Sequence, residues 1–272
     1  MIRYLLGLFF VCLYFVSGTL GARADEFDYN EFDVAAEYPD MGEYDIEDTN
    51  TDDACRMTNV SINAGANPIG VQDFDIAGIM LGMNFDEAQF IARETGLYVN
   101  RPKNSVVYSV HPDWKYNLDY ECRQSGIYAP AKLDACIKSL ARSRGVMYAS
   151  ELHLVRDATG ETIDVYFTSN ATDNVAWKIV YKNDVDEMPG DGEKFANQRE
   201  KKIWSWWQNV LDKYGTPNSG NDKWASSDNA YDPLMTAYYG ELELVDCGRN
   251  AEDATANINS ATENFAAKSY AF

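Results

Sequence analysis

The feature that most constrains the fold is a change in hydrophobic period near residue 147. From there, three short segments rich in β-branched and aromatic residues follow one another at 147–156, 161–169 and 175–182. Asp, Asn, Thr and Gly residues separate them, and these residue types form the turns of β-hairpins. Apolar and polar side chains alternate within the segments, as in a strand with one buried face. The pattern therefore predicts an antiparallel meander of three strands.

The alternation also predicts which side chains the meander buries. The expected buried face consists of Ile163, Val165 and Phe167 in the second strand and of Val175, Trp177, Ile179 and Tyr181 in the third. An apolar sheet face must be covered by another layer of secondary structure, and we expect helices to supply it.

Helical patterns flank the meander on both sides. A capping-box pattern opens a short helix at 84–96, and a proline at a first-turn position opens another at 130–145. The longest helical stripe covers 192–214, and two further strands are expected at 223–226 and 234–246. This order favours an α+β fold in which helices pack on one face of an antiparallel sheet. The competing architecture, a parallel sheet, requires strands and helices to alternate, and here they do not.

The chain is expected to divide into four parts. Residues 1–24 are predicted to be a signal peptide, and 25–54 an acidic tether without regular structure. Residues 55–248 are predicted to form the α+β domain. The Ala- and Asn-rich tail at 249–272 is expected to be a weak helix or a frayed end.

Export is indicated by the first residues of the chain. Arg3 precedes an uncharged apolar run at 5–16, and Ala22 and Ala24 place small residues before a cleavage site at Asp25. The run is too short to span a bilayer, although an uncleaved N-terminal anchor is the alternative. No second apolar stretch is long enough to span a bilayer. We therefore expect the mature chain to be soluble, to lack a transmembrane segment, and to be periplasmic or secreted.

Charge narrows the range of partners. The chain has a net charge of −20, and residues 25–54 hold 13 Asp and Glu residues with no Lys or Arg. Such a protein repels nucleic acids and anionic membrane surfaces, whereas a basic protein remains a compatible partner. Because Phe and Tyr are interleaved with its acids, the 25–54 segment is either a solvated tether or a docking strip for such a protein.

The cysteine count agrees with export. Cys12 lies in the apolar run, and the remaining four are Cys55, Cys122, Cys136 and Cys247. An oxidising compartment would pair them in one of three ways. We favour a local Cys122–Cys136 bridge together with a Cys55–Cys247 bridge between the start and the end of the domain. A zinc site is the alternative, but the spacing contains no C-x-x-C pair.

Two tryptophans stand out in the 192–214 helix. Trp204 and Trp206 fall beside its apolar stripe, so the helix carries more aromatic surface than one sheet face needs. They either pack under loops and chain ends or form an exposed aromatic patch where a partner docks.

Candidate catalytic groups are sparse. The two histidines, His111 and His153, belong to no metalloprotease motif, and the sequence has neither a nucleophile elbow nor a phosphate-binding glycine loop. Both histidines are expected to be structural. Carboxylates are too abundant for any pair to be singled out as acid and base. We therefore nominate no catalytic residue and no cofactor.

A partial calcium-loop pattern is present in the acidic segment. Asp48, Asn50 and Asp52 occupy positions 1, 3 and 5 of an EF-hand loop. Asp53 replaces the glycine at position 6 and Asn59 replaces the bidentate glutamate at position 12. No specific metal site is predicted.

Several short sequence segments resemble motifs found in a set of small exported bacterial proteins. They are Ile79-Met-Leu-Gly-Met-Asn-Phe-Asp-Glu-Ala88, Lys178-Ile-Val-Tyr181, Leu211-Asp-Lys-Tyr-Gly-Thr-Pro217 and Trp224. The set is similar to the SmpA/OmlA outer-membrane-assembly lipoproteins and the β-lactamase-inhibitory proteins. The resemblance implies a small α+β module that binds other proteins without catalysis, in the bacterial envelope.

These observations lead to one expected function and one alternative. We expect a non-enzymatic exported protein that binds or scaffolds another envelope or secreted protein, with Trp204, Trp206 and the acidic segment as contact surfaces. The alternative is a secreted hydrolase that uses Asp and Glu residues in acid–base chemistry.

Overall fold

The computed structural model describes Cys55 and residues 60–95, 106–156, 159–183 and 193–269. All of them belong to one compact unit, Asn50–Phe272. The predicted signal peptide and acidic tether lie outside the described residues, as do the candidate calcium ligands Asp48, Asn50 and Asp52.

The described residues form nine strands and five α-helices. In chain order these are β1 (Asp75–Ile76), β2 (Ile79–Met80), α1 (Phe85–Glu94), β3 (Val106–Val110), α2 (Pro112–Gln124), α3 (Pro130–Ser143), β4 (Met147–Arg156), β5 (Glu161–Phe167), β6 (Ala176–Lys182), α4 (Glu193–Tyr214), β7 (Lys223–Ala225), β8 (Leu234–Tyr238), β9 (Glu241–Val245) and α5 (Cys247–Ser269).

The fold is α+β, as predicted. Seven strands form one antiparallel sheet in the order β3-β4-β5-β6-β9-β8-β7, and β1 and β2 form a separate small hairpin. The predicted meander is confirmed as β4, β5 and β6. Strands β7, β8 and β9 also pair in sequence order. Strand β9 joins this group to the meander, because it pairs with β6.

Helices α1 and α4 cover one face of this sheet, which we call the first face. Its core contains the sheet residues Leu152, Leu154, Ile163, Val165, Phe167, Ile179, Met235, Leu242 and Leu244. Ala88 and Ala92 of α1 and Val210 and Tyr214 of α4 pack on them. Asn84 caps α1 through the predicted capping box with Glu87, which fixes where this helix begins.

Trp177 does not lie on the predicted face. The register between β5 and β6 shifts at this point, so Trp177 is the extra residue of a β-bulge. One extra residue inverts the alternation, and the expectation that Trp177 shares a face with Ile179 is therefore wrong. Trp177 is 3% exposed and belongs to a smaller cluster on the opposite face, with Ala225, Leu234, Val245 and Cys247.

A third cluster joins α2 and α3. It contains Leu118 and Cys122 of α2 and Leu133, Ile137 and Ala141 of α3. Helix α2 is not among the helices predicted above, since Pro112 and Asn117 are residue types that disfavour a helix interior. In the structure Pro112 is the first residue of the helix, where a missing amide costs nothing.

The C-terminal residues form a long helix that is part of the domain. Of the two expectations for residues 249–272, a weak helix or a frayed end, the structure has a helix, since α5 continues without interruption to Ser269. Its buried face combines the polar Asp253 and Asn257 with the apolar Cys247 and Ala261. Polar contacts as well as apolar ones therefore connect this helix to the domain.

In the part of the chain that the structure describes, no helix combines the length and the apolar character needed to cross a bilayer.

Candidate functional site

The four cysteines of the domain form two disulfides. Cys122 and Cys136 join α2 to α3, with their Cα atoms 6.1 Å apart. Cys247, the first residue of α5, is bonded to Cys55 at a Cα separation of 5.6 Å. This is the connectivity that we favoured among the three that were open.

The two candidate contact tryptophans have different environments. Trp204 is 63% exposed, as a contact residue would be. Trp206 instead packs against the core of the first face and lies 6.1 Å from the ring of Trp207. The structure therefore does not bring Trp204 and Trp206 together in one exposed patch.

The sheet face opposite α1 and α4, which we call the second face, carries charged side chains on β4, β5, β6 and β9. Strand register arranges it in three rows. The inner row is Glu151, Tyr166, Lys178, Val245 and Leu234. The middle row is His153, Asp164, Val180, Glu243 and Thr236. The outer row is Val155, Thr162, Lys182, Glu241 and Tyr238.

One end of the inner row is covered. Leu234 and Val245 pack under Cys55, Val60 and Ile62. The Cys55–Cys247 bridge therefore fastens the start of the domain over this corner of the second face.

His153 is held between two carboxylates. Its Nδ1 lies 2.6 Å from Asp164 Oδ1 on the neighbouring strand, and its Nε2 lies 3.1 Å from Glu151 Oε2 on the same strand. Hydrogen bonds to Asp164 and to Glu151 raise the pKa of His153 to about 9, against the opposing effect of burial. The imidazole is therefore protonated at neutral pH and donates to both carboxylates.

Lys178 extends this arrangement across the sheet. Its Nζ lies 3.2 Å from Glu243 Oε1 and 5.5 Å from the centre of the Tyr166 ring. Burial, followed by the nearby carboxylates of Asp164 and Glu151, raises the pKa of Tyr166 to about 12. We refer to Glu151, His153, Asp164, Lys178 and Glu243 as the charged cluster.

The outer row is more open to solvent. Lys182 and Glu241 form an ion pair of 3.4 Å, with side chains 55% and 42% exposed. Tyr238 is 68% exposed and stacks edge-on against Tyr239, with ring centres 4.3 Å apart. Exposed aromatic surface therefore lies at the outer end of the second face.

The imidazole at the centre of the charged cluster holds its proton at neutral pH. A general acid or base works best when its pKa is close to the working pH. A pKa of about 9 keeps the proton on His153, and its two nitrogens are already occupied by carboxylates. Ion-paired side chains of this kind form a pre-ordered polar surface.

One feature of the sequence points to this cluster, although it belongs to no known catalytic motif. Glu151 and His153 are two residues apart in a predicted strand, which places them on the same face. Asp164 could be added only after the register between β4 and β5 was known.

His111, by contrast, has a local structural role. It is the N-cap residue of α2, and its Nδ1 lies 3.1 Å from Asp113 Oδ2. Burial lowers the pKa of His111, partly offset by the carboxylates of Asp113 and Asp253. Among the described residues, no group of three or more His, Cys, Asp or Glu side chains is arranged to hold a metal ion.

Comparison with protein-family models, with curated proteins and with solved structures gives no match for this chain.

Proposed function

We propose that this chain is a non-enzymatic protein-binding module of an exported compartment, and that the second face of its sheet contacts the partner. The observation that carries the proposal is the continuity between the ion-paired charged cluster and the exposed Tyr238. Fixed polar groups beside an exposed tyrosine are typical of binding surfaces, because little side-chain entropy is lost on association.

The expected partner is a basic protein. The charged cluster contains three carboxylates and two cations, and the chain as a whole has a net charge of −20. Such a surface accelerates encounter with a positively charged protein and disfavours an acidic one.

Two disulfides support an oxidising compartment, since such bonds persist in exported proteins and are rare in the cytosol. Together with the signal-peptide pattern and the resemblance to envelope proteins, they support a periplasmic or secreted location.

A secreted hydrolase is the alternative. The charged cluster is where a pair of carboxylates would be sought, since Glu151 and Asp164 flank one imidazole. The raised pKa of His153 argues against its release of a proton near neutral pH.

The proposal is tested by affinity capture from the source organism's envelope extract. The bait is the chain from Asp25 onward, compared with Tyr238→Ser and with a bait that lacks residues 25–54. Tyr116→Ser is the matched control, because Tyr116 is similarly exposed, at 72% against 68%, but lies on α2. Trp204→Ser tests the other candidate contact.

We expect one stoichiometric protein that the starting chain and Tyr116→Ser retain and that Tyr238→Ser loses. Equal retention by Tyr238→Ser and Tyr116→Ser would contradict contact through the second face. Loss on deletion of residues 25–54 would place the contact in the acidic segment. If no bait retains a protein, the binding function itself is contradicted.

A further inference from the structure

A second candidate site lies beside the turn that follows β2. It is a depression of about 530 Å³ lined by the apolar side chains of Met80, Met83, Phe90 and Ile91 and by the charged Glu87 and Arg249. It shares no residue with the charged cluster.

The floor of this depression is held by the sheet. The amide of Gly82 donates to the carbonyl of Ala176 at 2.8 Å, and the amide of Ala176 donates to the carbonyl of Met83 at 2.7 Å. The amide of Met80 lies 3.4 Å from the Met83 sulfur, which fixes that thioether against the turn. The apolar lining is therefore supported by β6.

Some of the apolar lining is open to solvent. Phe90 is 61% exposed, although Ala88 and Ala92 of the same helix are buried in the core. Methionine side chains adapt readily to an incoming apolar group, and a phenylalanine ring offers a flat apolar contact surface. The exposed lining can therefore pack against one bulky apolar side chain.

Arg249 places a positive charge beside this apolar lining. Its Nε donates to Asp246 at 3.3 Å, and its two terminal nitrogens lie 3.4 Å from the point where a Cβ on Gly82 would be. Gly82 has a φ of +84°, so a side chain is disfavoured there and the guanidinium keeps its access. Within the described residues, Arg249 makes no side-chain hydrogen bond other than the one to Asp246.

Glu87 is the opposite charge in the lining, and its carboxylate is directed to the start of α1, where it accepts from the amide of Asn84 at 2.9 Å. Arg249 uses only its Nε in the ion pair with Asp246, so its two terminal nitrogens remain for a ligand. A planar carboxylate is the best geometric match for these two donors.

We propose that this depression binds the carboxyl-terminal end of a polypeptide whose last residue has a bulky apolar side chain. In such a residue the carboxylate and the side chain leave the same Cα. One group can therefore pair with Arg249 while the other lies against Met80, Phe90 and Ile91. Capture of a terminal carboxylate is an established mode of peptide recognition.

The test uses the whole protein, labelled with ¹³C at its methionine methyl groups, and two peptides. One is acetyl-Ala-Ala-Ala-Phe with a free carboxylate, and the other is the same peptide with a terminal amide. We expect the acid to shift the methyl signals of Met80 and Met83 but not that of Met235, which is fully buried. The amide should bind about tenfold more weakly, because it lacks the charge-assisted hydrogen bond to Arg249.

Arg249→Gln should remove the difference between the two peptides. Arg123→Gln, on an exposed arginine of α2, is the matched control and should retain it. The acid–amide comparison on the unaltered protein decides the question even if Arg249→Gln fails to fold. Equal binding of acid and amide, or methyl shifts that avoid Met80 and Met83, would overturn the proposal. Because the second face plays no part, the outcome is independent of the function proposed above.

Discussion

The carboxylate of Asp253 in α5 accepts hydrogen bonds from both the backbone amide and the hydroxyl of Ser169, at 3.0 and 2.6 Å. Thr172 Oγ1 and Asn257 Nδ2 donate to the same group at 2.6 and 3.1 Å. Asp253 is 5% exposed, so these donors replace water around the buried charge. They attach α5 to the turn between β5 and β6, 84 residues away in the chain.

Asp253→Ala should therefore be strongly destabilising. Removal of the acceptor leaves several buried donors unpaired, and we expect the free energy of unfolding to fall by about 3 kcal/mol. Glu252→Ala, on the neighbouring exposed position of α5, should change it by less than about 0.5 kcal/mol. Urea unfolding measures both, and similar losses would contradict a special role for Asp253.

His153 should make stability depend on alkaline pH. Its folded pKa of about 9 lies above the ordinary value of 6.5, so its contribution is fully present below pH 6.5. The contribution is lost as the pH rises through about 9. We expect His153→Gln to cost about 1 kcal/mol at pH 6, because its two ion pairs are partly exposed to solvent. The cost should shrink towards pH 10 when unfolding is followed across this range.

His111 provides the contrasting histidine for that measurement. Because burial lowers its folded pKa, its contribution is present at neutral pH and is lost as the pH falls below 6.5. His111→Asn, which keeps a capping side chain, should therefore alter the acid side of the stability profile. If His111→Asn changed the free energy of unfolding at alkaline pH as much as His153→Gln does, the directions assigned to both pKa shifts would be contradicted.

The two disulfides should differ in their contributions to stability. Cys55 and Cys247 are 192 residues apart, whereas Cys122 and Cys136 are 14 apart. On loop-closure entropy, the long bridge is worth about 5 kcal/mol and the short one about 3 kcal/mol. Denaturation of the two double Cys→Ser variants measures this order, and a larger loss from the short bridge would reverse it.

Tryptophan substitutions separate the exposed side chain from the buried ones. Trp224 is 0% exposed, so Trp224→Ala should cost about 4 kcal/mol. Trp204→Ala should cost less than about 0.5 kcal/mol, because its side chain is largely in solvent. Trp206→Ala should fall between them. Thermal unfolding gives the order, and a large loss in Trp204→Ala would show that this residue is not a free surface group.

The elements that could be predicted from the sequence are those determined by interactions between residues close together in the chain. The meander, the capping box of α1 and the end of α4 at Tyr214 follow from alternation, caps and breakers that act within a few residues. Of the three possible disulfide pairings, the favoured one, with a local bridge and a long-range bridge, is the one in the structure.

The remaining features depend on contacts between distant residues. The bulge at Trp177 inverts the strand pattern for reasons set by its partner strand. Asp253 stabilises α5 through donors that lie 81 and 84 residues earlier in the chain. The charged cluster needs the register of β4 against β5, and Glu151 and His153 alone do not identify it.

The sheet order also determines how the chain can assemble. The strands from β3 to β6 pair with their neighbours in sequence, and so do those from β7 to β9. Pairing of β6 with β9 joins these two groups and must close the long loop that contains α4. Because closure of such a loop is slow, we expect two half-sheets to form first and to meet later along Val180 and Glu243. In pulsed hydrogen exchange during refolding, amides between β6 and β9 should become protected after those between β4 and β5.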